Sequence, residues 1–326
     1  MAVDVSVVMP CLNESETIAT CVQKAKLALE KLKIDGEIVV ADNGSTDNSV
    51  EIARSLGARV IHQPEKGYGN AYQAGIQAAL GKYIVMGDSD DSYDFTDIGR
   101  FIEPLKNGAD LVIGNRLHGT IEKGAMPWLH RYIGNPILTG ILNLMYHSGI
   151  SDAHCGMRSF KKEAFQRLNL QTTGMEYASE MVIKAAQRKL KIVEIPITLH
   201  KDGRTRAPHL RSFRDGWRHL RFMLLHSPTH LFLWPGITLF LLGLAMMLIL
   251  LPGPLYIGFR IIDIHVMVLG SLLTVLGFQV ISFGIFARIY AMTSGFMPQD
   301  PKLQKAFKLF NLERGIMIGS IDFLIG

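Results

Sequence analysis

The sequence predicts an α/β domain, a mostly parallel sheet with helices on both faces, followed by two membrane-crossing helices. Three observations carry this expectation. Up to about Leu225, short apolar runs alternate with polar segments of helical period. Polar, Gly-rich and acidic clusters fall at the ends of those runs. Two stretches, Leu231 to Leu251 and Val266 to Ala287, are almost free of charge, and a bilayer takes about 20 apolar residues to cross. With 326 residues, 48% of them hydrophobic, the chain has room for one medium domain plus a part that need not be water-soluble.

In order, Val5 to Met9 reads as the first strand, ended by Pro10, and a helix runs from about Glu16 to Lys33. The strand Glu37 to Ala41, the helix Asn48 to Leu56 and the strand Arg59 to His62 follow. An Ala-rich helix from Gly69 to Ala79 leads to the strand Tyr83 to Met86. Strands alternating with helices imply parallel pairing through crossovers, and such sheets bind ligands at the carboxyl ends of their strands. The segment Met126 to His147 is apolar but broken by Gly134, Pro136 and Gly140. It reads either as a core helix or as an amphipathic helix at a membrane interface, with Trp128, His130 and Arg131 near headgroup level. The expected organisation is a soluble domain over 1–225, with a basic juxtamembrane helix at 208–225, a two-helix hairpin over 226–290 and a tail over 291–326. The apolar end, Gly315 to Gly326, is too short to span.

The formal charge of +5 hides a local imbalance. Lys201, Arg204, Arg206, Arg211, Arg214, Arg218 and Arg221 precede the first span, and Arg288, Lys302, Lys305, Lys308 and Arg314 follow the second. The connection between the spans carries only Arg260 as a basic residue. Positive-inside bias therefore places the domain and both termini on the cytoplasmic side of a cell membrane. A basic cluster beside a span favours anionic headgroups or a phosphorylated lipid over nucleic acid. The opening residues lack a signal-peptide pattern, and Cys11, Cys21 and Cys155 form no CxxC pair, which reads as reduced thiols. Spans without ionisable residues argue against a channel. Gly270, Gly277 and Gly284 form a small-residue stripe through which a homo-oligomer could meet.

The strongest chemical signal is Gly87-Asp88-Ser89-Asp90-Asp91, directly after an apolar strand. Alternate carboxylates leaving a strand end can share a divalent cation, and Mg²⁺ combines a few carboxylates with substrate phosphates. Such a cation neutralises charge on a departing diphosphate. Asp91 reads equally as a capping residue or a metal contact. Asp42, at the next strand end, could accept hydrogen bonds from a base or ribose, whereas Asp47 reads as a helix cap. Pro10 to Glu14 bends the chain out of the first strand, placing Asn13 and Glu14 where a nucleotide would lie. Lys66 and Gly67 suit phosphate or sugar, but Tyr72 stands where a dinucleotide loop needs its third glycine, and no GxxxxGK[ST] occurs.

In this order and on these strand ends, the motifs resemble the inverting family 2 glycosyltransferases of GT-A fold, and within them the polyprenyl-phosphate branch that includes dolichol-phosphate mannose and glucose synthases. The family's P-x-x-N-E resembles Pro10 to Glu14. Its D-D-x-S-x-D resembles Asp42 to Asp47 with Asn43 for the second acid, and its D-x-D is similar to Asp88-Ser89-Asp90. Gly114-Asn115-Arg116 resembles G-x-R, and Asp152 to Arg158 resembles D-x-x-S-G-F-R, departing at Cys155 and Met157. Gly203-Arg204-Thr205-Arg206 is similar to a G-x-S-K phosphate clamp with Arg for Lys, a swap that keeps phosphate binding.

The resemblance implies Mg²⁺ or Mn²⁺ on Asp88 and Asp90, with Asp88, Asp90 and Asp152 as the catalytic acids, Asp152 orienting the acceptor or a clamp residue. It implies a nucleotide sugar on Pro10, Asn13, Glu14, Asp42, Lys66, Gly67, Asp88, Ser89, Asp90 and Arg116. The acceptor phosphate falls to Arg158, Arg204 and Arg206. UDP-glucose is the first donor expected and GDP-mannose the second, with a polyprenyl (dolichyl or undecaprenyl) phosphate as acceptor. A processive polysaccharide synthase is the rival enzyme, but Arg214-Asp215-Gly216-Trp217 lacks its Q-x-x-R-W motif. A non-catalytic nucleotide-sugar scaffold is the other rival, and loss of the acidic pair would have favoured it.

Overall fold

The computed structural model describes residues 3–205, 212–257, 260–294, 297, 300, 301, 303, 305 and 312–325. The chain divides into two compact units, the first ending at Met223. In the first, β1 (Val5–Cys11), β2 (Gly36–Asp42), β3 (Arg59–His62) and β4 (Tyr83–Met86) are joined by α1 (Ile18–Leu32), α2 (Ser49–Ser55) and α3 (Tyr68–Ala78). After α4 (Ile98–Lys106) come β5 (Leu111–Ile121), α5 (Asn135–Tyr146), β6 (Arg158–Lys161), α6 (Lys162–Leu168), α7 (Tyr177–Gln187) and β7 (Ile192–Leu199). The sheet order is β3-β2-β1-β4-β6-β5-β7.

β1 pairs in parallel with β2 and β4, β2 with β3, and β5 with β7. Val5, Val7, Val8 and Met9 of β1 are buried, as a strand covered on both faces requires. Pro10 does not end β1: pairing to β4 stops at Val8, and the strand continues against β2 to Cys11. β6 alone is reversed, antiparallel to both β4 and β5. Its first residue, Arg158, pairs with Met86, the last of β4, and with Ile113 of β5. The reversal places the loop before β6 and the segment after Ile113 at the same sheet edge as the acidic run after β4. Residues 200–205, leaving β7, cross that edge too.

The chain is helical from 128 to 146, with a π-helical turn over His130–Gly134 leading into α5. It buries Thr139, Leu142 and Met145 but exposes Tyr132, Ile137, Leu144 and Trp128, the last 67% accessible. A core helix would not, so the core reading is overturned in favour of a helix with an outward apolar face.

In the second unit, helical segments Thr229–Leu250 and Ile264–Thr293 run 22 and 30 residues with mean hydropathies of 2.2 and 2.1, long and apolar enough to cross a membrane. The regular helices within them are α9 (Trp234–Leu250) and α10 (Ile264–Thr293), joined by a small antiparallel pair, β8 (Leu255–Ile257) and β9 (Arg260–Ile262). They pack closely because glycines face each other. A Cβ on Gly243 would lie 2.3 Å from the Gly270 carbonyl oxygen, and one on Gly277 2.7 Å from that of Gly236. The glycine stripe of α10 is thus occupied within the chain. A last helix, α11 (Leu312–Ile325), exposes Ile316, Ile321, Phe323 and Leu324.

Candidate active site

The acidic run after β4 is held from below by Ser89, whose side chain turns inward. Its Oγ donates to the Pro10 carbonyl, and its own carbonyl accepts from Thr17 Oγ1 at 2.7 Å. Ser89 therefore ties the ends of β1 and β4 together and does not reach a ligand with its side chain. Asp88 and Asp90 point the other way. Asp88 Oδ1 accepts from Tyr68 and Tyr72 hydroxyls at 2.9 and 3.1 Å. Tyr68 and Tyr72 stand one helical turn apart on α3, so both reach one carboxyl. Burial, and then the neighbouring charge of Asp90, raise the Asp88 carboxyl to about 6. Asp90 Oδ1 accepts from Ser92 N and Oγ, while Oδ2 accepts from Arg204. Asp91 turns away, with φ of 61° and a 2.8 Å ion pair to Lys24, which takes it out of the acid pair.

Arg116 and Asp152 form a buried bidentate pair, Nε to Oδ2 at 2.7 Å and Nη2 to Oδ1 at 2.8 Å. The Arg116 backbone N–H also donates to Asp152. Burial would raise the Asp152 carboxyl, but the Arg116 charge and hydrogen bonds hold it below the usual range. Both Asp152 oxygens are thus engaged by Arg116, the arrangement of an acid that orients a clamp residue. Arg158, by contrast, is corrected: it is fully buried and donates to the carbonyls of Cys155, Ala153 and Ala178 at 2.8 Å each. Its guanidinium fixes the loop before β6 and is not available to an acceptor phosphate. Arg206 lies outside the described residues.

A second group of expected residues gathers at the ends of β1, β2 and β3. Asp42 is buried and accepts from the backbone N–H groups of Gly44 and Ser45 and pairs with His62 Nδ1 at 2.9 Å. Burial would raise its carboxyl, yet these bonds hold it low. Asn13, with φ of 58°, accepts from Thr46 N at 2.7 Å. Lys66 Nζ donates to the carbonyls of Asn43 and Gly44 at 2.7 and 3.2 Å. Asn43 donates to the Gln63 and Glu65 carbonyls and accepts from Gly67 N at 2.8 Å. A carboxylate could not make those two donations, so the amide is what this loop demands. Gly67 has φ of 144°, and a Cβ there would lie 2.2 Å from the Thr173 carbonyl oxygen.

Asp88, Asp90, Arg116 and Arg204 share one cavity of about 670 Å³. Apolar side chains line the same cavity, Met126, Pro127, Leu129 and Ile133 from the segment leading into α5, Leu138 of α5 and Phe213 of the helix α8 (Ser212–Leu225), with His130, Asn135 and Asp215 among them. Asn13, Asp42, Lys66 and Gly67 lie outside that cavity, and Glu14 links the two groups through a 3.1 Å bond from Arg204 Nη1. Sequence reasoning missed Tyr68, Tyr72 and His62. The signal for the tyrosines was their four-residue spacing opposite the end of β4. His154 and His219 were missed too; they meet edge to face in the cavity wall, and burial keeps the His154 imidazole neutral.

Among the described residues no group of three or more His, Cys, Asp or Glu side chains converges as a metal site. The acid pair alone fits a cation that completes its shell with water and substrate phosphate. Gly156 supports the fit, since a Cβ there would lie 2.6 Å from Asp88 Oδ2 and close that side of the pair.

A mixed seven-stranded sheet with its acid pair at the carboxyl edge of β4 is the architecture of a GT-A glycosyltransferase. The profile of glycosyl transferase family 2 matches residues 6–168, and that of the family 2 C-terminal transmembrane region matches 285–326. The low-salt glycan biosynthesis hexosyltransferase Agl6 of Haloferax volcanii is 43% identical, over 100% of this chain and 78% of its own. The dolichyl-phosphate hexose transferase of the same organism is 32% identical over 60% of this chain and 82% of its own. Among solved structures, glucosyl-3-phosphoglycerate synthase from Mycobacterium tuberculosis with Mn²⁺, UDP and glucosyl-3-phosphoglycerate superposes with a TM-score of 0.52. It is 21% identical and covers 68% of this chain and 77% of that one. The chain belongs to glycosyl transferase family 2.

Proposed function

We propose that this enzyme transfers a hexose from a nucleotide sugar to a polyprenyl phosphate with inversion at the anomeric carbon. UDP-glucose is the first donor to test and GDP-mannose the second. The observation that carries the reading is the composition of one cavity, whose lining combines carboxylates and guanidinium groups with a set of large apolar side chains. A phosphate with a hydrocarbon tail matches both. Exposed Trp128 and Tyr132 beside those side chains suit a membrane headgroup layer, and two apolar helices anchor the chain in the bilayer its acceptor occupies. By the positive-inside rule the domain and both termini face the cytoplasm. The dolichyl-phosphate hexose transferase named above supports the same acceptor class.

Asp88 and Asp90 would hold Mg²⁺ or Mn²⁺, which when bound neutralises charge on the departing diphosphate. Tyr68 and Tyr72 fix the rotamer of Asp88 by donating to one of its oxygens. The loops bearing Asn13, Asp42, Lys66 and Gly67 form the nucleotide edge, their backbone shape already set by internal bonds. Arg116, held by Asp152, presents a fixed positive charge toward a phosphate. A phosphate monoester with a second pKa near ~6 is mostly dianionic at neutral pH, so its oxygen attacks without a general base. Positioning and charge neutralisation then carry the rate.

The test is to incubate purified full-length protein and polyprenyl phosphate with a panel of radiolabelled nucleotide sugars. One labelled sugar per lipid phosphate, released by mild acid, is the expected product. A ladder of longer products would replace this reading with the processive one, and labelling of no lipid by any donor would overturn it.

A further inference from the structure

Residues 200–205 form a strap stapled over the acidic run. His200 N donates to the Ser92 carbonyl and Gly203 N to the Asp90 carbonyl, each at 3.0 Å. Thr205 fastens the far end, its N and Oγ1 donating to the two carboxylate oxygens of Glu16 at 2.8 and 2.6 Å. Between these staples Arg204 reaches down, only 11% exposed at its side chain, and bonds Asp90, Glu14 and Asp202. Its charge is what balances the acids: although burial disfavours it, Asp90, Glu14 and Asp202 together stabilise the guanidinium.

We propose that Arg204 is an internal counter-ion that competes with the divalent cation for Asp90, so that cation binding frees the Arg204 guanidinium from Asp90 and turns it toward the acceptor phosphate. This rests on the reading of Asp88 and Asp90 as the cation's carboxylates. Asp90 Oδ1 is engaged by Ser92, so a cation and the guanidinium must contend for Oδ2. Two positive groups on one oxygen in a shielded site repel strongly, and the guanidinium, which has Glu14 and Asp202 as further partners, yields. Once released, Arg204 retains Glu14 and Asp202 as partners but loses Asp90, and it lines the same cavity as Arg116. The next anion to enter meets an Arg204 freed from Asp90 beside an Arg116 held by Asp152. Without the cation Arg204 is engaged by Asp90, so acceptor binding is favoured once the cation is in place. The device also keeps two neighbouring carboxylates from facing each other uncompensated in the resting enzyme.

The experiment reads Mn²⁺ binding to the full-length protein by electron paramagnetic resonance of the free ion, with no turnover involved. Arg204→Gln should tighten Mn²⁺ binding by about tenfold, the scale of one charge-assisted hydrogen bond removed from the competitor. Lys24→Gln removes the same charge from the Asp91 pair and should change it less than about twofold, because salt screens the longer-range effect. Thr205→Val, which loosens the strap without touching the acids, should tighten it by a smaller factor and keeps the test open if Arg204→Gln does not fold. Unchanged or weaker Mn²⁺ binding in folded Arg204→Gln overturns the proposal. If Asp90→Asn binds Mn²⁺ as the parent does, the cation-site reading itself fails; if Asp90→Asn loses binding while Arg204→Gln leaves it unchanged, only the exchange fails.

Discussion

The two sides of the acid pair are built differently. On the β1–β3 side, Asp42, Asn43, Asn13 and Lys66 are bonded to backbone groups of neighbouring loops, so the edge keeps its shape without a ligand. On the β5–β7 side, the guanidinium groups that line the cavity are held by carboxylates, Arg204 by Asp90 and Arg116 by Asp152, and large apolar groups face outward. Backbone-bonded loops suit a ligand of fixed shape such as a nucleotide. Guanidinium groups held by carboxylates beside apolar side chains suit a flexible amphiphile that arrives with its own charge.

Four variants break or sharpen this contrast. Asp90→Asn acts on the axis shared by both sides, and sugar transfer should fall by about 10²–10³-fold or more, with the far-ultraviolet circular dichroism spectrum unchanged. Asp152→Asn strikes the charged side and leaves Arg116 buried without its partner, which should destabilise the domain by about 3–5 kcal/mol in urea unfolding followed by tryptophan fluorescence. The pH sign follows from the lowered Asp152 carboxyl. Its contribution is fully present above the ordinary value of 3.8 and is lost as pH falls through the lower folded value. The acid limb of the stability curve should therefore flatten in Asp152→Asn.

On the backbone-bonded side, Asn43→Asp loses its donations to Gln63 and Glu65 and should cost about 1–3 kcal/mol. Its mark is a higher KM for the nucleotide sugar with an unchanged KM for the lipid. The smallest effect belongs to the apolar rim. Trp128→Ser combined with Tyr132→Ser should raise the KM for a long-chain lipid phosphate about fivefold, on the order of 1 kcal/mol of lost burial, and leave that for a short water-soluble analogue alone. Equal effects on both acceptors would remove the membrane-facing role of that rim.

The repeating half of the fold was legible because each strand from Val5 to Met86 is a short apolar run followed by turn chemistry. Arg59–His62 and Tyr83–Met86 fall where the pattern puts them. The reversal of β6 was not legible, since four residues carry no sign of direction and their pairing is long-range. That reversal also decides Arg158: a side chain leaving a strand end toward three carbonyls looks, in sequence, like any arginine beside a phosphate motif. The acid pair could be read from its spacing, but the hydroxyls of Tyr68 and Tyr72 come from a different crossover and meet Asp88 only in three dimensions. The Met126 to His147 segment left two readings open because its composition suits either, and only the exposure of one face separated them.

The close contact of Gly243 with Gly270 and of Gly277 with Gly236 sets what the anchor can offer its surroundings. A hairpin whose smooth face is folded against itself shows lipid a coat of branched and aromatic groups such as Leu241, Leu248, Leu272 and Phe286. Such a coat dissolves readily in acyl chains. Exchanging one bulky outward residue for another there should pass unnoticed, whereas a single methyl group added at the seam would pry the two rods apart.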